Sequence, residues 1–260
     1  MTAKLTLLLI LLAVASARAV EPLPQAHAHN DYEHKRPLLD ALAHGFCGVE
    51  ADIYWTNGAL LVAHDADKVD AKRTLQALYL DPLRERVKQN GGHVYSNGPS
   101  LMLLIDFKTE AKSTYAALRP VLEKYRDMLT TFTPTATRTG AVTIVLSGNR
   151  PIQAVASERE RLVAIDGRLP DMDEGPSPHL VPLVSDNWTK HFQWRGQGAL
   201  SQDERSRLKA FVERSHAQGR KIRFWAVPDT EAGWRVMHEA GVDLINTDNL
   251  GGLQRFLSAR

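Results

Sequence analysis

The chain has 260 residues, 43% hydrophobic and 24% charged, with 17 Gly and 13 Pro. This composition excludes disorder, collagen and coiled coil, and the length suits either two small domains or one large α/β domain. Net charge is +2, from 32 Lys and Arg against 30 Asp and Glu, and the basic residues are dispersed, so nucleic acid is not indicated as a partner. Cys47 is the only cysteine, which rules out an internal disulfide and leaves that residue as a small buried apolar side chain.

In chain order, residues 1–19 read as a secretory signal peptide, with Lys4, an apolar core from Leu5 to Ala15, and Ala17-Arg18-Ala19 before a cut after Ala19. That apolar core is too short to serve as a membrane anchor, since a spanning helix needs ~20 residues. No other stretch is long and apolar enough to span. The expected protein is therefore secreted, to a periplasm or the extracellular space, with residues 20–260 forming a single domain. Losing Lys4 and Arg18 would bring its formal charge to zero.

Along that domain, apolar runs of strand length alternate with helical patterns, the sign of a parallel sheet. Strands are predicted near Gln25 to His29, Gly48 to Ile53, Leu101 to Lys108, Val142 to Ser147, Arg161 to Ile165, Val181 to Ser185, Lys221 to Ala226 and Asp243 to Thr247. Helices are predicted at Pro37 to His44, Lys112 to Met128, Ser201 to Gln218, Thr230 to Ala240 and Leu250 to Ser258, with Gly45, Gly219 and Gly241 following helix ends. Between Tyr54 and Ala63, Asn57-Gly58 separates two strand-like arms, a hairpin signal that returns His64 and Asp65 to the end of the second strand. Eight strands with intervening helices point to a TIM (β/α)8 barrel.

In such a barrel the strand C-termini converge on one mouth, so each strand end matters. The first delivers His27, His29, Asn30 and Asp31, the second Glu50 and Asp52 with His64 and Asp65 on its hairpin, and the third Asp106 and Lys108. A carboxylate amid Leu103, Leu104, Ile105 and Phe107 is costly to bury without a compensating cation. Glu50 and Asp52, two residues apart in a strand, share a side, and Asp106 can complete a three-oxygen set for a hard cation such as Mg²⁺ or Ca²⁺. The competing reading pairs these carboxylates with Lys108 or with arginines. His29 and His64 flank the carboxylates from two segments, as a general acid and a general base would. His44, His216 and His238 precede helix ends and read as structural.

These residues resemble the phosphatidylinositol phospholipase C-like phosphodiesterase superfamily, which includes glycerophosphodiester phosphodiesterases and sphingomyelinase D. The similarity runs from His27 to Asp248 and rests on Glu50-Ala51-Asp52, His64-Asp65, Leu104 to Lys108, Phe224 to Val227 and Gly241 to Asp248. His29-Asn30-Asp31-Tyr32 departs from the His-Arg-Gly of glycerophosphodiesterases and is similar to the branch containing the altered-inheritance-of-mitochondria type proteins. The resemblance implies a metal-dependent phosphoric diester hydrolase acting on a glycerophosphodiester or phospholipid-type substrate. It implies one divalent cation on Glu50, Asp52 and Asp106, proton transfer by His29 and His64, and a possible cyclic phosphate product.

Asn30 stands where the family's phosphate-contacting Arg would be. Lys108 then either meets a phosphate oxygen or pairs with a carboxylate. Arg150, after Ser147-Gly148-Asn149, either supplies the missing phosphate contact or stays exposed before Pro151. Trp225 either lines the pocket for an alcohol or lipid group or packs. Two rival functions remain: a zinc-dependent amidohydrolase or phosphoesterase-type barrel using His27-Ala28-His29 and Asp248, and a catalytically inactive exported ligand-binding barrel.

Overall fold

A computed structural model describes residues 20–96 and 98–259, so the segment read as a signal peptide lies outside the described residues. The chain runs through β1 (Leu23–Ala28), α1 (Leu39–Ala43), β2 (Phe46–Thr56), β3 (Ala59–Val62), α2 (Asp81–Gln89), β4 (Leu101–Phe107) and α3 (Ala111–Glu123). A small antiparallel pair follows, β5 (Thr131–Phe132) and β6 (Thr137–Arg138), then β7 (Val142–Gly148), α4 (Ile152–Ala156), β8 (Val163–Gly167), α5 (Asp171–Glu174), β9 (Leu183–Asn187) and α6 (Trp188–His191). The last elements are α7 (Gln202–Ala217), β10 (Lys221–Trp225), α8 (Glu231–Ala240), β11 (Ile245–Thr247) and α9 (Leu250–Ser258).

Parallel strands follow the order β10, β9, β8, β7, β4, β2, β1, β11, and a parallel bridge between Arg223 and Leu244 brings the two ends of that path together. The result is a nearly closed barrel of eight parallel strands with helices outside, as the strand alternation predicts. Each of the eight predicted strands is present with small shifts at its ends.

Inside the barrel, Met102, Leu104, Val145, Leu183 and Leu244 form a small apolar plug. The larger apolar cluster lies between strands and helices, where Val49, Ala51, Leu103, Ile105 and Ile144 meet side chains such as Leu118, Leu208 and Leu253. Period two along each strand then sets a polar layer above the plug: Asp106 follows Leu104, Ser147 follows Val145, and Ser185 follows Leu183. The register places Asp52 beside Asp106 and Asp106 beside Ser147.

The helix ends carry the expected chemistry. The side chains of Ser201, Thr230 and Asn249 accept from backbone N–H groups in the first turns of α7, α8 and α9, and Gly241 takes a left-handed C-cap with φ 80. Two expectations are corrected. The helix predicted over Lys112 to Met128 ends at Glu123 and resumes only as a 3-10 turn, Arg126–Met128. The region between His64 and Leu101, given no helix by its sequence pattern, holds α2.

Candidate active site

The strand C-termini surround a cavity of about 340 Å³ whose walls include His29, Asn30, Glu50, Asp52, His64, Asp106, Lys108 and Trp225. Eight of the nine sequence-predicted site residues are thus brought together. Arg150 is placed elsewhere: its Nη1 donates to the Asp166 carbonyl at 2.7 Å and to Asp171 Oδ2 at 3.0 Å, outside this cavity. That pairing holds the loop after β8 and accounts for Arg150 better than exposure does. Ser147, from the cluster expected after the fourth strand, also lines the cavity, as do Arg168 and Arg223, which were not singled out from sequence.

Each of the two histidines sets its Nδ1 against a carboxylate. His29 Nδ1 donates to Asp248 Oδ1 at 3.0 Å, with the Asn30 amide 3.0 Å from the same nitrogen. His64 Nδ1 donates to Asp65 Oδ1 at 2.8 Å, and Lys68 holds the other Asp65 oxygen at 3.1 Å. Neither Nε2 has a hydrogen-bond partner among the described residues. Burial pulls the His29 pKa down, but the hydrogen bond to Asp248 and the nearby Glu50 outweigh it, and the net direction is upward. Asn30 itself takes a left-handed conformation, φ 48, and the Tyr32 hydroxyl bridges its side-chain oxygen at 2.7 Å and Asp52 Oδ2 at 2.6 Å. Asn30 is thereby tied through Tyr32 to Asp52 while lining the cavity.

The carboxylates are compensated by protein cations. Glu50 Oε2 accepts from Arg223 at 2.6 Å and lies 3.5 Å from His27; burial would raise its pKa, but these partners hold it well below the usual carboxylate range. Lys108 Nζ bridges Asp52 Oδ2 at 2.9 Å and Asp106 Oδ1 at 3.0 Å. Burial and the neighbouring Glu50 push Asp52 up to about 6, and its buried Oδ1 has no hydrogen-bond partner among the described residues. Gly148, φ 66, gives the Asp106 carboxylate its room, since a Cβ there would stand 2.5 Å from Oδ1.

The expected three-carboxylate metal set therefore shares one wall, yet among the described residues no group of three His, Cys, Asp or Glu stands at metal-holding distance. The residues still fit a hard cation. Two of the three carboxylates already share one positive charge, and an oxygen of Asp52 is left over.

His27, by contrast, is fully buried against Glu50, and burial first, then Arg223, lowers its pKa to about 4. It does not line the cavity, which removes the paired-histidine ligand set that a zinc amidohydrolase reading needs. His44 and His238 bond locally or to β1, and His216 pairs with Asp243 at 2.8 Å, as structural roles require. Arg223 could have been found, because an ionisable side chain between Ile222 and Phe224 carries the same signal as Asp106. Arg168 lies just past its strand and carries no such signal.

The fold is that of the glycerophosphodiester phosphodiesterase barrels. Two solved glycerophosphodiester phosphodiesterases share this fold, from Parabacteroides distasonis (TM-score 0.54, 14% identity, 92% of this chain and 99% of that one) and from Agrobacterium tumefaciens (TM-score 0.55, 17% identity, 91% and 100%). The chain belongs to the AIM6-like phosphodiesterase domain family, whose model matches residues 15–166, and the model of the glycerophosphoryl diester phosphodiesterase family matches residues 221–251. Curated relatives include Altered inheritance of mitochondria protein 6 from Eremothecium gossypii, 29% identical over 92% of this chain and 71% of that protein. A homolog of that protein from Arthroderma benhamiae is 25% identical over 92% and 85%.

At the coarse level, membership makes this a phosphodiesterase-type chain, and glycerophosphodiester phosphodiesterase-like enzymes generally use a divalent metal. The expected secreted localisation is corrected here. The relatives are named for altered inheritance of mitochondria, a name that speaks against export as the expectation. No helix among the described residues is long and apolar enough to cross a membrane.

Proposed function

We propose that the chain cleaves phosphodiesters of the glycerophosphodiester or phospholipid type at the barrel mouth, with His29 and His64 as its acid and base. The observation that carries this reading is the matched pair of imidazoles in one cavity, each with Nδ1 on a carboxylate and Nε2 unpaired. A carboxylate on Nδ1 selects the tautomer and aims Nε2 at the reacting group. Asp248 and Glu50 favour the charged His29 ring, so His29 donates its Nε2 proton to the leaving oxygen. His64, at the exposed rim, accepts the proton of the nucleophile. That nucleophile is water or a neighbouring hydroxyl of the substrate, the latter giving a cyclic phosphate.

Glu50, Asp52 and Asp106 would hold one divalent cation, Mg²⁺ or Ca²⁺, which would supply Lewis acidity to the charge developing on phosphoryl oxygen. Lys108 then shares the compensation of Asp52 and Asp106 and faces the same oxygens. Trp225 offers an apolar wall to the alcohol or lipid group.

His29→Ala and His64→Ala should each lower turnover by about 10²-fold or more, with the unfolding midpoint close to that of the parent. Steady-state kinetics on any diester the parent cleaves, with circular dichroism melts alongside, provide the check. Near-parental turnover in either variant would refute the acid-base assignment.

A further inference from the structure

We infer that Arg168 is the guanidinium that grips the substrate's phosphate, on the wall of the mouth opposite His29. The inference rests on the hydrolytic reading of the same cavity. Three cations line that cavity, and two are committed. Lys108 is held by Asp52 and Asp106, and Arg223 is nearly fully buried, bonded to Glu50 and, through Nε at 2.7 Å, to Asn246. Arg168 spends Nη1 on Asp166 Oδ2 at 2.8 Å and on nearby carbonyls, and Nη2 on Ser147 Oγ at 3.3 Å, which leaves Nε and one Nη2 hydrogen for a ligand.

Its placement is built rather than incidental. Asp166 is fully buried and accepts from Ser147 Oγ at 2.8 Å and Ser185 Oγ at 2.6 Å as well as from Arg168. A carboxylate sunk among strands is costly unless every lone pair is used, and here those lone pairs orient one arginine at the mouth. The Trp225 ring stacks on the guanidinium at 4.9 Å and fixes its plane. Asp171 Oδ2 accepts from the Arg168 backbone at 2.7 Å and is itself held by Arg150, so Arg150, for which a phosphate contact was one of two readings, anchors Arg168 instead.

Around the barrel β8 is four strands from β1 in either direction, so Arg168, just past β8, stands across the mouth from His29, just past β1. A phosphodiester between them presents one oxygen to the acid and its non-bridging oxygens to a planar fork, the geometry guanidinium groups recognise. This supplies the positive contact that Asn30 lacks.

Calorimetric titration of the full chain with inorganic phosphate at low ionic strength tests the assignment. Arg168→Gln should weaken binding about tenfold or more, and Arg168→Lys, which keeps the charge and loses the fork, should fall between. On a cleaved diester, Arg168→Gln should raise KM more than it lowers kcat. No phosphate binding by the parent, or equal affinity in parent and Arg168→Gln, would overturn the inference, including the case where Arg168→Gln only lowers the melting point. If phosphate binds through Arg168 but no diester is cleaved, the anion contact stands and the hydrolytic reading falls. If diesters are cleaved with KM and phosphate affinity unchanged in Arg168→Gln, the reverse holds.

Discussion

Asp31 shows how one buried residue shapes the mouth. It is fully buried, and its Oδ2 accepts from the Leu38 backbone N–H at 2.5 Å and the Tyr79 hydroxyl at 2.9 Å, while Oδ1 has no hydrogen-bond partner among the described residues. Leu38 has φ 62, a conformation a branched side chain rarely adopts, and this carboxylate holds it there. Burial outweighs both hydrogen bonds and His34, with Asp40 adding to it, and pushes the Asp31 pKa up to about 6. The folded state therefore holds this proton more tightly than the unfolded chain. The contribution is complete below the unfolded pKa near ~4 and is lost as pH rises through about 6, a cost on the order of 3 kcal/mol at neutral pH. Asp31→Asn keeps an acceptor for Leu38 and removes the titration. Urea unfolding at pH 4.5 and 7.5 should show a smaller loss of stability with rising pH in the variant than in the parent. An unchanged loss would exclude Asp31 as its source. At this scale the acidic residues and histidines were legible, because ionisable groups interrupt apolar strands. The partners that neutralise them, Arg223 on Glu50 and Lys108 across Asp52 and Asp106, depend on barrel closure and on register.

Among the elements, the β2–β3 hairpin was readable in full from Asn57-Gly58. The turn residues have φ 52 and 74, and Thr56 pairs with Ala59 directly across it. This hairpin returns the chain to His64. A Cβ on Gly58 would meet nothing within 4 Å, so the cost of Gly58→Ala is the left-handed backbone alone, about 1 kcal/mol. Denaturant unfolding should show that loss, and a neutral or stabilising effect would contradict it. Helix α2 was not legible for a physical reason: it buries only Leu83 and Val87, one turn apart on an otherwise polar segment, too thin a stripe to show a helical period. The overextension of α3 has the opposite cause. The apolar period continues through Met128, but the backbone tightens into a separate turn after Glu123.

For the molecule as a whole, the barrel was legible because eight apolar strands announce themselves, while the balance of charge inside it was not. A net charge of +2 conceals a mouth where three carboxylates meet Lys108, Arg168 and Arg223. The expectation of export, read from residues 1–19, finds no support in relatives named for mitochondrial inheritance. The central claim is that this mouth is a cation-assisted phosphodiesterase site. Phosphorus NMR of a panel of glycerophosphodiesters and lysophospholipids, incubated with the purified chain in MgCl2 or CaCl2 and again in excess EDTA, tests it most directly. The account predicts a new monoester or cyclic phosphate resonance with at least one cation and none in EDTA. A panel left intact by folded protein under both cations, or cleaved equally well in EDTA, would contradict it.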